Sequence, residues 1–205
     1  MENDILKGID NLSNSEKVKD NMIFFSMYLL LFENMKENCI SKLKSFFEDI
    51  QTINGKVKLV ISDEYKKIEN KKFNGKKNIF LATMNWFVEN GAINQEEFET
   101  LINIRNDRNK ISHELLKLLY NDCDEDMVKN FLKCIEIYKK IDNWWILNIE
   151  IPISGEYNFD EILEDQVISG NLLMISIVME NIYGSNTYKK IIDEIKNINN
   201  INNKI

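Results

Sequence analysis

The chain has 205 residues with a formal net charge of −7, seven glycines and a single proline. This length fits one core of ordinary size. Scarce proline and glycine, with abundant leucine, isoleucine, lysine and glutamate, favour helices, because little interrupts intrahelical hydrogen bonding. The acidic balance excludes a surface that is basic throughout, so any contact with nucleic acid has to be local.

Cysteine and histidine usage argues against a metal centre. Cys39, Cys123 and Cys134 lack C-x-x-C spacing, and the chain has one histidine, so no recognisable zinc ligand set can be built. We predict no metal, no cofactor and a cytoplasmic protein whose cysteines pack as small apolar residues. The most apolar run, residues 22–32, has about half the roughly 20 residues of a membrane-spanning helix and is predicted to be a buried core helix.

The first 60 residues are predicted to contain two helices and a hairpin. Ser13 and Glu16 form a capping-box pattern that predicts a helix over residues 14–33. A second amphipathic stretch covers residues 36–50. Asn54-Gly55, flanked by β-branched residues, is a turn signal that favours a short hairpin.

Two further helices are predicted before residue 105. Apolar side chains recur at helical spacing over residues 77–90, and Gly91 supplies the left-handed C′ residue that ends a helix. Asn94 and Glu97 then cap the next helix.

The last third of the chain is predicted to be less regular. A helix is expected over residues 124–141. Residues 144–155 have strand-like composition, and Trp144 and Trp145 are predicted to anchor a core or an interface. Helical signals return over residues 160–183, and the asparagine-rich end is predicted to be frayed.

The stretch "RNDRNKISHEL", residues 105–115, holds both arginines and the only histidine of the chain. Arg108 and His113 have R-x4-H spacing, and Asn109 directly follows the arginine. An imidazole can give or accept a proton near neutral pH, and a guanidinium can hold a phosphate and stabilise its charge. Together these side chains suit phosphodiester cleavage.

Helical geometry limits what one copy of this stretch can do. Asn109 and His113 are four residues apart and share a helix face, so the amide could orient the imidazole. Arg108 and His113 diverge by about 140° at roughly 100° per residue. One chain alone is therefore predicted to make a poor site. Residues 106–109 have poor helix propensity, which predicts a kink or break just before His113.

These residues resemble the R-x4-6-H motif of the HEPN superfamily. The resemblance implies an all-α, antiparallel helical bundle and a metal-independent endoribonuclease of a toxin–antitoxin or phage-defence system. It implies that Arg108 and His113 are the catalytic pair and that Asn109 fills the polar position of the motif. It also implies a homodimer in which two motif helices face each other, with RNA as substrate and a cognate antitoxin protein as a further partner.

The resemblance covers residues 14–142. We predict a HEPN-like bundle over residues 1–142 and a C-terminal extension, residues 143–205, that packs on the bundle. The extension matches no pattern that indicates its role.

Basic side chains outside the catalytic pair are predicted to contact RNA. Residues 65–77 carry six lysines against one glutamate, with Tyr65 and Phe73 interleaved, so phosphates could neutralise the lysines and bases could stack on the rings. The alternative is a solvated loop, since lysine is the commonest basic residue of the chain. The candidate RNA-binding residues are Arg105, Lys110, Lys71 and Lys72.

Two other interpretations stay open. The chain could be a non-catalytic HEPN-like domain that binds a partner such as a nucleotidyltransferase-type antitoxin. It could also be a helical scaffold with an accidental motif, in which a carbonyl satisfies His113 and Arg108 forms a surface ion pair with Asp107 or Glu114 worth at most about 1 kcal/mol. The sequence does not separate the endoribonuclease from the non-catalytic domain, because both keep a folded bundle and a polar groove.

Overall fold

The computed structural model describes residues 2–53, 56–121, 124–155 and 169–183. The chain divides into two compact units, residues 1–158 and residues 159–205. The predicted all-α class is confirmed at the level of secondary structure, because the described residues are mostly helical and their strands form two small antiparallel hairpins.

The elements of the first unit follow one another closely. In chain order they are α1 (Glu2–Ser13), α2 (Ser15–Phe46), β1 (Glu48–Ile53), β2 (Lys56–Ile61), α3 (Asp63–Glu69), β3 (Lys72–Phe73), β4 (Lys76–Lys77), α4 (Ile79–Glu89), α5 (Gln95–Asn121), α6 (Glu125–Trp145), a π-helical turn (Ile146–Glu150) and α7 (Ile151–Ser154). The second unit contributes α8 (Gly170–Tyr183), which lies inside the segment predicted to be helical. The predicted frayed tail lies outside the described residues.

Helix α2 is one helix of 32 residues, where the sequence predicted two. No glycine or proline interrupts residues 15–46, so the hydrogen-bond ladder continues through the expected break. Its N-cap is Asn14, whose side chain accepts a hydrogen bond of 3.0 Å from the backbone N–H of Lys17. The predicted cap, Ser13, is instead the last residue of α1, a helix that the sequence analysis did not predict.

The core of the first unit forms where α2, α4, α5 and α6 meet. The run at residues 22–32 contributes to it as predicted, and Cys39 and Cys134 are both 1% exposed. Burial raises the pKa of both thiols, which keeps them protonated. Other fully buried side chains include Leu31, Met35, Met84, Phe87, Leu101, Ile104, Ile111 and Tyr138.

Several local predictions are confirmed. Strands β1 and β2 pair antiparallel along their full length, and only residues 54 and 55 connect them. Gly91 has φ of +77° just beyond the end of α4. At the start of α5, Asn94 and Glu97 exchange backbone-to-side-chain hydrogen bonds of 2.7 and 2.8 Å, which is a capping box.

The predicted kink at residues 106–109 is wrong. Helix α5 continues through them, and its non-helical residue is Glu114, with φ −128° and ψ 27°. Ile104, Asp107 and Ile111 are buried on one face of α5, and this packing outweighs the poor helix propensity of the intervening asparagines.

The strand-like reading of residues 144–155 is also wrong. These residues form the end of α6, the π-helical turn and α7. Trp145 is 4% exposed and lies among the rings of Phe46, Trp86 and Phe87. Because this contact holds the end of α6 against the core, tertiary packing overrides the β-branched composition. Trp145 is thus the core anchor that the sequence predicted.

The predicted domain boundary meets a continuous helix. Helix α6 runs through residues 142 and 143, and the boundary of the two compact units falls between residues 158 and 159. The packing of residues 143–205 on the bundle stays a prediction. Within the described part of the chain, no helix has the length and apolar character needed to cross a membrane.

Candidate functional site

Helix α5 carries Arg108, Asn109 and His113, and the helix face beside them is buried. The Nε of Arg108 donates a hydrogen bond of 2.5 Å to Oε1 of Glu33 on α2, and its Nη2 contacts the same oxygen. The two side chains are 29% and 30% exposed. The scaffold interpretation placed Arg108 in a surface ion pair with Asp107 or Glu114, but Arg108 instead reaches across to another helix.

Glu33 holds two cations. Besides Arg108, it accepts a hydrogen bond of 2.6 Å from Nζ of Lys36. Partial burial by itself would raise the pKa of Glu33, but the hydrogen bonds and charges of Lys36 and Arg108 together lower it below its usual value. Glu33 is consequently ionised at neutral pH and offsets part of the charge of Arg108.

Asn109 lies beside the arginine. Its Oδ1 accepts a hydrogen bond of 3.2 Å from Nη1 of Arg108. The amide was expected to orient His113, but this hydrogen bond instead fixes the guanidinium. Arg108 is thus held on one edge by Glu33 and on another by Asn109.

His113 lies in different surroundings from Arg108. It is exposed and directly precedes Glu114, the non-helical residue of α5. With Leu12 of α1 and with Leu116 and Tyr120 of α5, it lines an open groove of about 580 Å³. The imidazole of His113, the only one in the chain, is therefore open to a ligand in this groove.

One chain does not bring Arg108 and His113, the predicted catalytic pair, together. The α5 backbone is regular between Arg108 and His113, so the two side chains leave the helix in directions about 140° apart. Arg108 turns toward α2, and His113 opens onto the groove beside α1. Among the described residues, no hydrogen bond joins the two side chains.

Asp107, next to Arg108, is a buried carboxylate whose structural role the sequence analysis did not predict. It is 6% exposed, and its Oδ2 accepts hydrogen bonds from Nδ2 of Asn130 at 2.6 Å and from the hydroxyl of Tyr28 at 3.3 Å. It therefore ties α5 to both α2 and α6 directly beside Arg108. The signal was present in the sequence, because Asp107 stands at helical spacing between the apolar residues Ile104 and Ile111.

Two RNA-binding candidates lie on α5. Nζ of Lys110 is 3.4 Å from Oδ1 of Asp107, and its side chain is 53% exposed. Arg105 is half-buried. Both cations lie within one turn of Arg108, so they add positive charge to the same stretch of helix.

The other two candidates lie at the β3–β4 hairpin. Nζ of Lys71 forms an ion pair of 2.7 Å with Glu89. Lys72 is exposed and stands directly opposite Lys77 in the strand register. Like charges in that position repel each other, which makes the hairpin a favourable place for an anion.

The two rings interleaved with these lysines differ in their exposure. Tyr65 is 3% exposed, so it is closed to a base. Phe73 is half-buried, and its ring centroid lies 6.2 Å from that of Phe98. The expectation of base stacking is wrong for Tyr65, which packs inward as an apolar residue.

In the described ranges, no three histidine, cysteine, aspartate or glutamate side chains are grouped as ligands of a metal ion would be. Comparison of the chain with protein-family models, with curated proteins and with solved structures gives no match. The resemblance to the HEPN superfamily therefore rests on residues 105–115 and on their helical context.

Proposed function

We propose that this protein is a HEPN-like, metal-independent endoribonuclease that acts as a homodimer in a toxin–antitoxin or phage-defence system. The observation that carries the proposal is the display of Arg108, Asn109 and His113 on one helix with all three side chains reaching solvent. A phosphate-binding cation and a proton-transfer group are thus both accessible to RNA.

His113 acts on the RNA 2′-hydroxyl or on the leaving oxygen as general base or acid. The 2′-oxygen attacks the adjacent phosphorus as its proton leaves, and the bond to the 5′-oxygen breaks as that oxygen gains a proton. The products are a 2′,3′-cyclic phosphate and a 5′-hydroxyl. Neither water nor a metal ion takes part in this transfer.

Arg108 stabilises the negative charge that develops on the phosphate. Its guanidinium has five N–H donors, and Glu33 and Asn109 engage only some of them. The donors that remain are held in a fixed orientation, which favours transition-state stabilisation over mere attraction. Asn109 contributes by orienting the guanidinium.

The homodimer brings a cation and an imidazole to the same phosphate, which a single chain does not do. Because Arg108 and His113 diverge on α5, two copies have to meet for a cation and an imidazole to flank one phosphate. RNA outside the cleavage point contacts the lysines of the β3–β4 hairpin, where Lys72 opposes Lys77. These contacts are electrostatic and independent of base sequence.

A specific observation favours the non-catalytic alternative. The ion pair with Glu33 offsets the charge of Arg108, and a phosphate has to compete with that carboxylate. A HEPN-like domain that serves as a dimeric partner of a nucleotidyltransferase-type antitoxin would retain the same helix and the same ion pair for stability alone.

Substitution of the motif distinguishes the two functions. Loss of a positioned acid–base group costs about 10²–10⁴ in rate, so His113→Ala should nearly abolish cleavage of an RNA substrate while leaving dimerisation and most RNA affinity intact. Arg108→Ala should lower the rate comparably and also weaken binding, because a phosphate contact is lost with it. If wild-type protein cleaves no RNA, or if His113→Ala cleaves at the wild-type rate, the protein is a binding partner and not a nuclease.

Controls separate loss of chemistry from loss of structure. Lys72→Ala should lower RNA affinity slightly and reduce its salt dependence by about one phosphate contact at most. Cleavage should persist in excess EDTA; restoration by Mg²⁺ or Mn²⁺ after chelation would contradict the mechanism. Sedimentation at micromolar concentration should not return a single species of 24.2 kDa, the mass of one chain.

A further inference from the structure

The β1–β2 hairpin projects from the bundle with one apolar face uncovered. Ile50 stands opposite Leu59, and Thr52 stands opposite Val57, so all four side chains share one face. Ile50, Val57 and Leu59 are 75%, 72% and 67% exposed. Among the described side chains of the hairpin, only those at its base are partly buried. A two-stranded hairpin is marginally stable alone in water, so this face is suited to being covered.

A second uncovered apolar surface lies on α1. Its exposed large side chains fall on one stripe of the helix, since they recur at three- and four-residue spacing. We call them the α1 stripe: Ile5, Leu6, Ile9 and Leu12, which are 40–59% exposed. The stripe continues across the groove of His113 to Leu116, which is 71% exposed.

These two surfaces lie at opposite ends of α2. One residue, Asn14, separates α1 from α2, and one residue, Phe47, separates α2 from β1. Between them α2 spans about 48 Å at 1.5 Å per residue. Leu30, close to the midpoint of α2, is 44% exposed, and Glu33, the partner of Arg108, lies one turn further on.

We propose that a second copy of this chain covers both surfaces: in a two-fold dimer with antiparallel α2 helices that meet near Leu30, the hairpin face of each copy packs on the α1 stripe of the other. A two-fold axis at the midpoint of α2 exchanges its two ends, so both contacts form at once. The axis also places the Glu33–Arg108 pair of one copy near that of its partner. The interface shares the homodimer of the proposed function but none of its chemistry.

The area agrees with this arrangement. Each copy contributes seven exposed aliphatic side chains, three on the hairpin and four on the α1 stripe. If the partner covers roughly 60 Å² of each, the two copies together bury roughly 800 Å² of apolar surface. At an apolar share of about 57% this corresponds to a total of about 1,400 Å², within the range of a standard stable interface. The hairpin face alone would give about half of that apolar area, which is too little for a stable dimer.

The experiment measures the dimer dissociation constant by sedimentation equilibrium. Ile50→Glu on the hairpin and Ile9→Glu on α1 should each raise the constant by at least about 30-fold, because every dimer contains two copies of the altered contact. Gln51→Glu places the same charge on the other face of the same strand, opposite Lys58, and should leave the constant within about three-fold. Thermal melting checks that each variant is folded.

Chains with one added surface cysteine test the pairing directly. In a background with Cys123→Ser, Leu59→Cys in one chain and Ile9→Cys in another should form a mixed disulfide on oxidation, and Leu30→Cys should form a disulfide with its own copy. Cys39 and Cys134 are buried and do not compete. A monomeric wild type, an unchanged dissociation constant for both glutamate variants, or the absence of the mixed disulfide overturns the interface.

The proposed interface and the proposed nuclease activity can be refuted independently. If the cross-links form while His113→Ala cleaves RNA as fast as wild type, the dimer stands and the catalytic proposal falls. If cleavage depends on His113 while the cross-links do not form, the nuclease stands and its two copies meet through another surface.

Discussion

The two halves of α5 perform different tasks. Before Glu114, the helix buries Leu101, Ile104 and Ile111 in the core, and Asp107 ties it to both α2 and α6. After Glu114, the helix packs beside α1, and Leu116 is 71% exposed. Arg108 belongs to the embedded half and His113 stands at the border. One helix can therefore fix a cation by core packing while it presents an imidazole at an open groove.

Different contacts hold the two halves of α5 in place. The embedded half is held by apolar burial and by the hydrogen bonds of the Asp107 carboxylate. The open half is held by a close approach of α1. Gly8 of α1 lies against the ring of Tyr120, whose hydroxyl donates to the carbonyl of Ile5 at 3.2 Å. Asn11 donates to the carbonyl of Tyr120 at 2.9 Å. A different substitution should therefore destabilise each half.

The largest effect is expected in the embedded half. Asp107→Ala removes the acceptor that Asn130 and Tyr28 share, and hydrogen bonds to a buried charged group are worth about 1.5–3 kcal/mol. We expect the free energy of unfolding in urea to fall by about 2–3 kcal/mol. Asp107→Asn keeps one carbonyl oxygen and should lose less. A loss below about 0.5 kcal/mol for the alanine variant would show that Asp107 does not hold the helices together.

A smaller loss is expected where α1 meets the open half. In an exposed helix interior, Gly→Ala stabilises by about 0.5–1 kcal/mol. At Gly8 the added methyl group would overlap the ring of Tyr120, so Gly8→Ala should instead destabilise the protein by about 1–2 kcal/mol. Thermal melting gives the sign directly. Combining it with Tyr120→Ala should remove the clash, and a double-mutant cycle should show strong coupling between the two positions.

The smallest effect is expected at the junction of the halves, and it depends on pH. The pKa of Glu33 is lowered in the folded state by Lys36 and Arg108, against the opposing effect of burial. Its stabilisation is therefore complete above the unfolded pKa of about 4.3 and is lost as pH falls through the lower folded value. Glu33→Gln should cost at most about 1 kcal/mol at pH 7, since the pair is partly exposed, and progressively less below pH 4.

Urea titrations at pH 7 and pH 3 check whether the stabilisation by Glu33 decreases as pH falls. The control is Glu114→Gln at the border of the two halves, whose carboxylate pairs at 2.9 Å with Lys117, three residues further on. Glu114→Gln should lower the free energy of unfolding by less than Glu33→Gln does at both pH values. A difference between wild type and Glu33→Gln that grows as pH falls would contradict the assigned direction.

Local signals in the sequence determined several helix and turn boundaries of the first unit. The capping box of Asn94 and Glu97, the left-handed Gly91 and the two-residue connection of the hairpin depend on residues within a few positions of one another. Such contacts form in any context that permits the turn, because they satisfy backbone groups of the same segment. The buried run at residues 22–32 followed from apolar content alone.

Tertiary structure decided the surroundings of the motif. The partner of Arg108 is 75 residues away on α2, and no local periodicity selects Glu33 over the other carboxylates of the chain. The break in α5 falls at Glu114, not at the residues of poorest propensity, because packing of Asp107 and Ile111 holds the earlier turns helical. Burial across helices exceeds propensity differences of a few tenths of a kcal/mol, so these features become fixed only when α2, α5 and α6 meet.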